Sequence, residues 1–149
     1  MGYRLAAMIL VTGGAGFVGS HIVDELLERG ERVRIVDALL PAAHRERPGY
    51  LDPRAELIEA DLRDPAVAEA GVKGVSAVCH QASMVGLGVD ISDIADYVGH
   101  NDLGTAIVLR ALAAARFTGR LVLASSMVVY GEGREGKVRF TYLNSVATN

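Results

Sequence analysis

The run Met8-Ile9-Leu10-Val11-Thr12-Gly13-Gly14-Ala15-Gly16-Phe17-Val18-Gly19 takes an apolar, β-favouring segment straight into a cluster of glycines. Gly13 permits a tight turn, Gly16 leaves no Cβ where an anion must approach, and Gly19 lets a following helix sit close against the strand. Phe17 and Val18 open that helix. Its free N–H groups and positive dipole end point at the anion, an interaction of roughly 0.3–2 kcal/mol depending on burial. The G-x-G-x-x-G spacing at Gly14, Gly16 and Gly19 is common alone and gains its meaning from the strand before it and the helix after it. The combination reads as a cradle for the pyrophosphate of a dinucleotide.

In the helix, Val18, Ile22, Leu26 and Leu27 recur at helical spacing on one face, and Gly30 supplies a left-handed stop. Arg32-Val33-Arg34-Ile35-Val36 is a second strand ending at Asp37, eighteen positions after Gly19. A carboxylate there accepts from both hydroxyls of an adenosine ribose, at about 1.5–3 kcal/mol per charge-assisted bond, and repels a 2′-phosphate. Asp37 therefore selects NAD over NADP.

Residues 38–55 contain Pro, Arg and His without period and read as a long loop, with Arg45 and Arg47 solvated. Glu56-Leu57-Ile58-Glu59-Ala60 is a third strand, with Asp61 and Leu62 at its end. Asp64 caps a short helix that has Pro65 at its first position and ends near Gly71. Val75-Ser76-Ala77-Val78-Cys79 is a fourth, fully buried strand. His80-Gln81-Ala82-Ser83 leaves its carboxyl end, where open α/β sheets bind ligands. Residues 92–115 form a long helix with Ile94, Val98, Thr105, Val108, Leu109 and Leu112 on related faces, weakened at its start by Gly99 and Gly104. Arg120-Leu121-Val122-Leu123-Ala124 is the fifth strand, delivering Ser125 and Ser126 to the same edge. Such alternation implies parallel pairing with right-handed crossovers, hence an α/β Rossmann-type doubly wound parallel sheet ordered 3-2-1-4-5. Residues 1–131 make one NAD-binding domain. Residues 132–149, with Gly133 and Gly136, form a divergent tail without apolar period.

Half of the 149 residues are apolar, enough for one buried core, and the net charge of −3 offers no basic face to nucleic acid or anionic membrane. No apolar run approaches the ~20 residues that span a bilayer. Arg4 followed by residues 5–11 has the look of a short leader, but those residues are needed as the first strand. The lone Cys79 has no internal disulfide partner and reads as a buried structural thiol, which fits the cytoplasm. His80 has no neighbouring ligand types, so it is expected to be a backbone-positioning or core residue without a chemical role, and no metal is expected.

These residues resemble the extended short-chain dehydrogenase/reductase family, the NAD-dependent nucleotide-sugar epimerases and dehydratases, over about the first 133 positions. Thr12-Gly13-x-x-Gly16-x-x-Gly19, Asp61-Leu62, His80-x-Ala82-Ser83, Asn101-x-x-Gly104-Thr105 and Ser125-Ser126-x-x-Val129-Tyr130-Gly131 stand in the family's order. The resemblance implies that Asp61 and Leu62 flank the adenine, that Ala82 and Ser83 lie along the cofactor, and that Ser126 orients a nucleotide-sugar substrate. It also implies hydride transfer from a sugar carbon to NAD, aided by a tyrosine whose pKa is lowered by a lysine one helical turn on. No such pair is present: four residues after Tyr3, Tyr50, Tyr97, Tyr130 and Tyr142 stand Ala7, Arg54, Asn101, Arg134 and Val146. Tyr130 is read as a packed aromatic beside the sheet end. The family's substrate domain is absent from the sequence. The expectation is thus the NAD-binding portion of an epimerase/dehydratase-like oxidoreductase, truncated and without turnover. A non-catalytic NAD-binding sensor and one subunit of a split enzyme are the alternatives. The apolar edge around the fifth strand and the long helix leaves surface for either a homodimer or aggregation.

Overall fold

The computed structural model describes residues 7–86 and 90–126. Strands β1 (Met8–Thr12), β2 (Arg32–Asp37), β3 (Glu56–Glu59), β4 (Ala77–His80) and β5 (Arg120–Leu123) form one parallel sheet in the order β3-β2-β1-β4-β5. This is the 3-2-1-4-5 order read from the sequence. Helix α1 (Phe17–Glu28) joins β1 to β2, and α2 (Pro65–Val72) joins β3 to β4. A composite helical run joins β4 to β5: a 3-10 turn at Ile91–Asp93, α3 (Ile94–Tyr97), a π turn at Val98–Leu103, and α4 (Gly104–Ala114). Right-handed crossovers that leave β1 in one direction and travel toward β4 and β5 in the other must lie on opposite faces of the sheet.

The register makes those faces explicit. Val11 stands beside Ile35 and Cys79, and Leu10 beside Arg34 and Val78. With successive side chains alternating across the sheet, Val11, Val33 and Ile35 pack with Val23 and Leu27 of α1. Leu10, Val36 and Val78 pack on the other side with Ala68 and Val72 of α2 and with Ile107, Val108, Ala111 and Leu112 of α4. Asp64 caps α2, accepting from the N–H of Ala66 at 2.9 Å, with Pro65 at the first helical position. Gly30 takes φ +78° beyond the end of α1, the left-handed stop expected there.

Three local expectations are corrected. The inward line of α1 is Gly19, Val23 and Leu27, with Ile22 and Leu26 partly buried, whereas Val18 is 56% exposed. Gly19 is pressed so closely on the Gly13 carbonyl that an added Cβ would come within 2.1 Å of it, and that contact fixes the helix rotation. The expected long helix over 92–115 is interrupted by the π turn, which shifts the buried stripe to Gly104, Ile107, Val108, Ala111 and Leu112 and leaves Val98 and Leu109 about half exposed. Strand β4 is not fully buried: Val78 and His80 are, while Ala77 and Cys79 are only partly covered. Cys79 faces the α1 side, where the helix leans over β1 and β2, and its sulfur accepts from Gln81 Nε2 at 3.3 Å. On the same side Val122, registered beside Cys79, is 50% exposed. Among the described residues no helix is long and apolar enough to cross a membrane.

Candidate functional site

A cleft of about 860 Å³ opens at the carboxyl ends of β1, β2 and β4. Its floor is the turn after β1. Gly13 adopts φ +66° and donates its N–H to Val36 O at 2.8 Å, tying the turn to β2. A Cβ on Gly13 would come within 2.7 Å of the Ala82 backbone, so only glycine allows the segment leaving β4 to lie this close. A Cβ on Gly16 would meet only Gly13 O, at 3.3 Å, and would otherwise stand in the cleft. Gly16 is also the N-cap of α1 and has no side chain to satisfy the first helical N–H groups. Phe17 and Val18 therefore present uncapped N–H groups at the cleft, the arrangement that binds phosphate.

Asp37 ends β2 beside this turn. Its Oδ2 accepts from the Ala15 N–H at 3.0 Å and its Oδ1 from the Leu39 N–H at 2.9 Å. Each oxygen keeps a lone pair, so the carboxylate can still accept two hydroxyls. The carboxylate and the uncapped helix start thus share one cavity, as the chemistry of an adenosine ribose joined to a pyrophosphate requires.

Asp61, after β3, also borders the cleft, but Arg63 engages it. Arg63 Nη2 lies 2.6 Å from Asp61 Oδ2, and its backbone N–H donates to Oδ1 at 2.8 Å. The guanidinium hydrogen-bonded to it holds the Asp61 carboxyl below the usual carboxylate range. Leu62 turns inward and is 8% exposed, anchoring this rim in the α2–α4 core.

The opposite wall is the segment after β4. Thr12 Oγ1 accepts from the Ala82 N–H at 3.2 Å and lies 2.6 Å from His80 Nδ1, while His80 Nε2 lies 3.0 Å from Thr105 Oγ1 of α4. Burial pushes the His80 pKa below its ordinary value, and the pattern fits a neutral ring with its proton on Nε2. His80 is thus a strut between β1 and α4, in line with the positioning role read from the sequence. Asn101, in the π turn, accepts from the Met84 N–H at 2.7 Å and donates Nδ2–H to Met84 O at 3.0 Å, which fixes the course of residues 82–84.

Gly13, Gly16, Phe17, Val18, Gly19, Asp37, Asp61, Leu62, Ala82 and Ser83, the expected cofactor contacts, all border this one cleft. Ser125 borders it as well, with Ser126 exposed next to it after β5. Val129, Tyr130 and Tyr142 lie outside the described residues. Sequence reasoning missed His44 and Tyr50, which line the cleft from the 38–55 loop, and Arg63, whose D-x-R spacing from Asp61 was a usable signal. Among the described residues no cluster of three His, Cys, Asp or Glu side chains could hold a metal ion.

The family model described as NAD dependent epimerase/dehydratase family matches residues 9–148. The chain belongs to that family. A putative UDP-glucose 4-epimerase of Methanocaldococcus jannaschii is 36% identical over 84% of this chain and 40% of its own length. UDP-glucuronic acid decarboxylase 1 of Arabidopsis thaliana is 34% identical over 96% of this chain and 32% of its own. Among solved structures, the UDP-glucose 4-epimerase of Thermus thermophilus in complex with NAD superposes with TM-score 0.78 at 33% identity, over 89% of this chain and 42% of that one. This member of the epimerase/dehydratase family therefore spans about two fifths or less of the length of these relatives. The epimerase/dehydratase match covers the strands and helices described above from Ile9 onward.

Proposed function

We propose that this chain is the NAD-binding portion of a nucleotide-sugar epimerase or dehydratase. The observation that carries the reading is the Asp37 carboxylate, 3.0 Å from the Ala15 N–H, facing the same cleft as the uncapped start of α1. Bound NAD would supply a reversible hydride acceptor. The chain's own residues bind and orient it: the N–H groups of Phe17 and Val18 hold the pyrophosphate, Asp37 grips the ribose hydroxyls, and Asp61 with Leu62 flank the adenine. Ala82 and Ser83, held by Thr12 and by Asn101 through Met84, line the path toward the reacting end. Ser126 orients a nucleotide sugar there. Residues 1–131 form the binding unit.

Calorimetry tests this directly. Residues 1–149 bind NAD more tightly than NADP, and Asp37→Ala weakens NAD by about tenfold or more, the loss of one charge-assisted bond. Unchanged affinity in that variant would refute the assignment of Asp37. Because none of the tyrosines has a lysine four residues on, these residues taken alone reduce no NAD with UDP-glucose or another nucleotide sugar. Rapid NAD reduction would overturn that part of the reading.

A further inference from the structure

The connection from β2 to β3, residues 38–55, is far longer than the roughly 2–6 residues usual between such elements. It contains no helix or strand, yet it is tied down at three points. Leu39 takes φ +46°, in the left-handed region, and its N–H donates to Asp37 Oδ1 at 2.9 Å. The N–H groups of Ala43 and His44 both donate to Leu40 O at 2.9 Å, and this bend brings His44 Nε2 to 3.9 Å from Asp37 Oδ1, with the two side chains 9% and 11% exposed. Finally the Tyr50 hydroxyl donates to Ala15 O at 2.5 Å, in the middle of the glycine turn.

Ala15 is thereby pinned from both sides: its N–H by Asp37 and its carbonyl by Tyr50. Leu40, Ala43, His44 and Tyr50 all face the cleft. We propose that the 38–55 segment is a strap across the adenosine end of the site, with His44 and Tyr50 as its two positioning residues. His44 acts through the Asp37 carboxylate, shielding it from water on the loop side. Tyr50 acts through the Ala15 peptide, fixing the turn relative to that carboxylate. Retaining a left-handed non-glycine residue at Leu39, at a conformational cost, fits a segment held for binding rather than for packing. This inference rests on the reading of the cleft as an NAD site and adds residues that govern affinity there.

The strap carries Arg45, exposed and followed by Glu46, so trypsin reports its state. NAD binding by calorimetry and tryptic cleavage after Arg45 are measured on the wild-type chain, Tyr50→Phe and His44→Ala. Saturating NAD slows cleavage after Arg45 severalfold in the wild type. Each variant binds NAD about fivefold or more weakly, without a fall in binding stoichiometry, and is cut faster in the absence of NAD. A variant that merely unfolds lowers the stoichiometry instead. If the wild type binds NAD and both variants match its affinity, or if bound NAD leaves cleavage after Arg45 unchanged, the strap is wrong while the NAD site stands. A wild-type chain that binds no NAD defeats the site and the strap with it.

Discussion

His80 sits between two threonine hydroxyls in a place where an ionised ring would have no counter-charge, and burial lowers its pKa. The sign of the linkage follows. The unfolded chain takes up this proton at higher pH than the folded chain does, so the contribution of His80 is fully present above the ordinary histidine pKa of about 6.5 and is lost as pH falls below it. Urea unfolding between pH 8 and about pH 5 should show this acid loss in the wild type and a shallower one in His80→Gln, by up to about 1.4 kcal/mol per pH unit for the one proton. Parallel pH profiles for the two proteins would show that His80 is not the linked group. The glycines and Asp37 were legible in the sequence for a different reason. A backbone at φ +66° with the Ala82 backbone 2.7 Å from any Cβ tolerates one residue type, and Asp37 stands at the end of β2, where its two oxygens accept backbone N–H groups beside that turn. Tyr50 and His44 were not legible. Tyr50 meets a backbone carbonyl, which every residue type offers, so nothing in the composition of its partner marks the contact.

At the scale of elements, α2 and the π turn show how single side chains hold the connections between strands. Arg34 of β2 reaches across the sheet end of α2, donating Nη1 to Ala70 O, Gly71 O and Lys73 O while Nε and Nη2 engage Glu56. It fills the orphan carbonyls of a helix that has no basic residue in its last turn. The π turn braces the cleft wall that follows β4. One widened turn between α3 and α4 presents Asn101 to both polar groups of Met84. Its loss would strand the Met84 N–H and C=O at a partly buried position, so Asn101→Ala should cost about 1–3 kcal/mol in chemical denaturation. It should also weaken NAD binding, because residues 82–84 line the cleft. Full stability with full affinity in Asn101→Ala would mean that the segment holds its course without that side chain. The Asn-x-x-Gly-Thr signature made the position visible in the sequence, but the π turn was not, since apolar spacing reports an average helical period and a single inserted residue hardly alters it. The rotation of α1 escaped for a related reason: Gly19 carries no apolar signal, yet its contact with Gly13 O decides which side chains turn inward.

For the whole molecule, the sheet order follows from alternating strands and helices with one crossover hand, which is why topology was readable where helix faces were not. The two faces are unequally served. The α2–α4 side buries a continuous core from Leu10 to Leu112, while on the α1 side Val122 remains half exposed among the described residues. A fold so arranged has its ligand cleft at the junction of β1, β2 and β4, where the turn, Asp37 and the segment after β4 are each tied to a different element. A ligand that bridges all of them binds only the folded state and must stabilise it by mass action. At a hundredfold excess over the dissociation constant this amounts to about 2.7 kcal/mol, a rise in Tm of about 5–10 °C for a domain of this size. The same concentration of NADP should give a much smaller rise, since Asp37 meets its 2′-phosphate with like charge. Thermal melts with NAD and NADP up to millimolar concentration decide the matter. No shift with NAD would remove the cofactor site, and equal shifts with both would leave the cleft as a dinucleotide site whose selectivity does not come from Asp37.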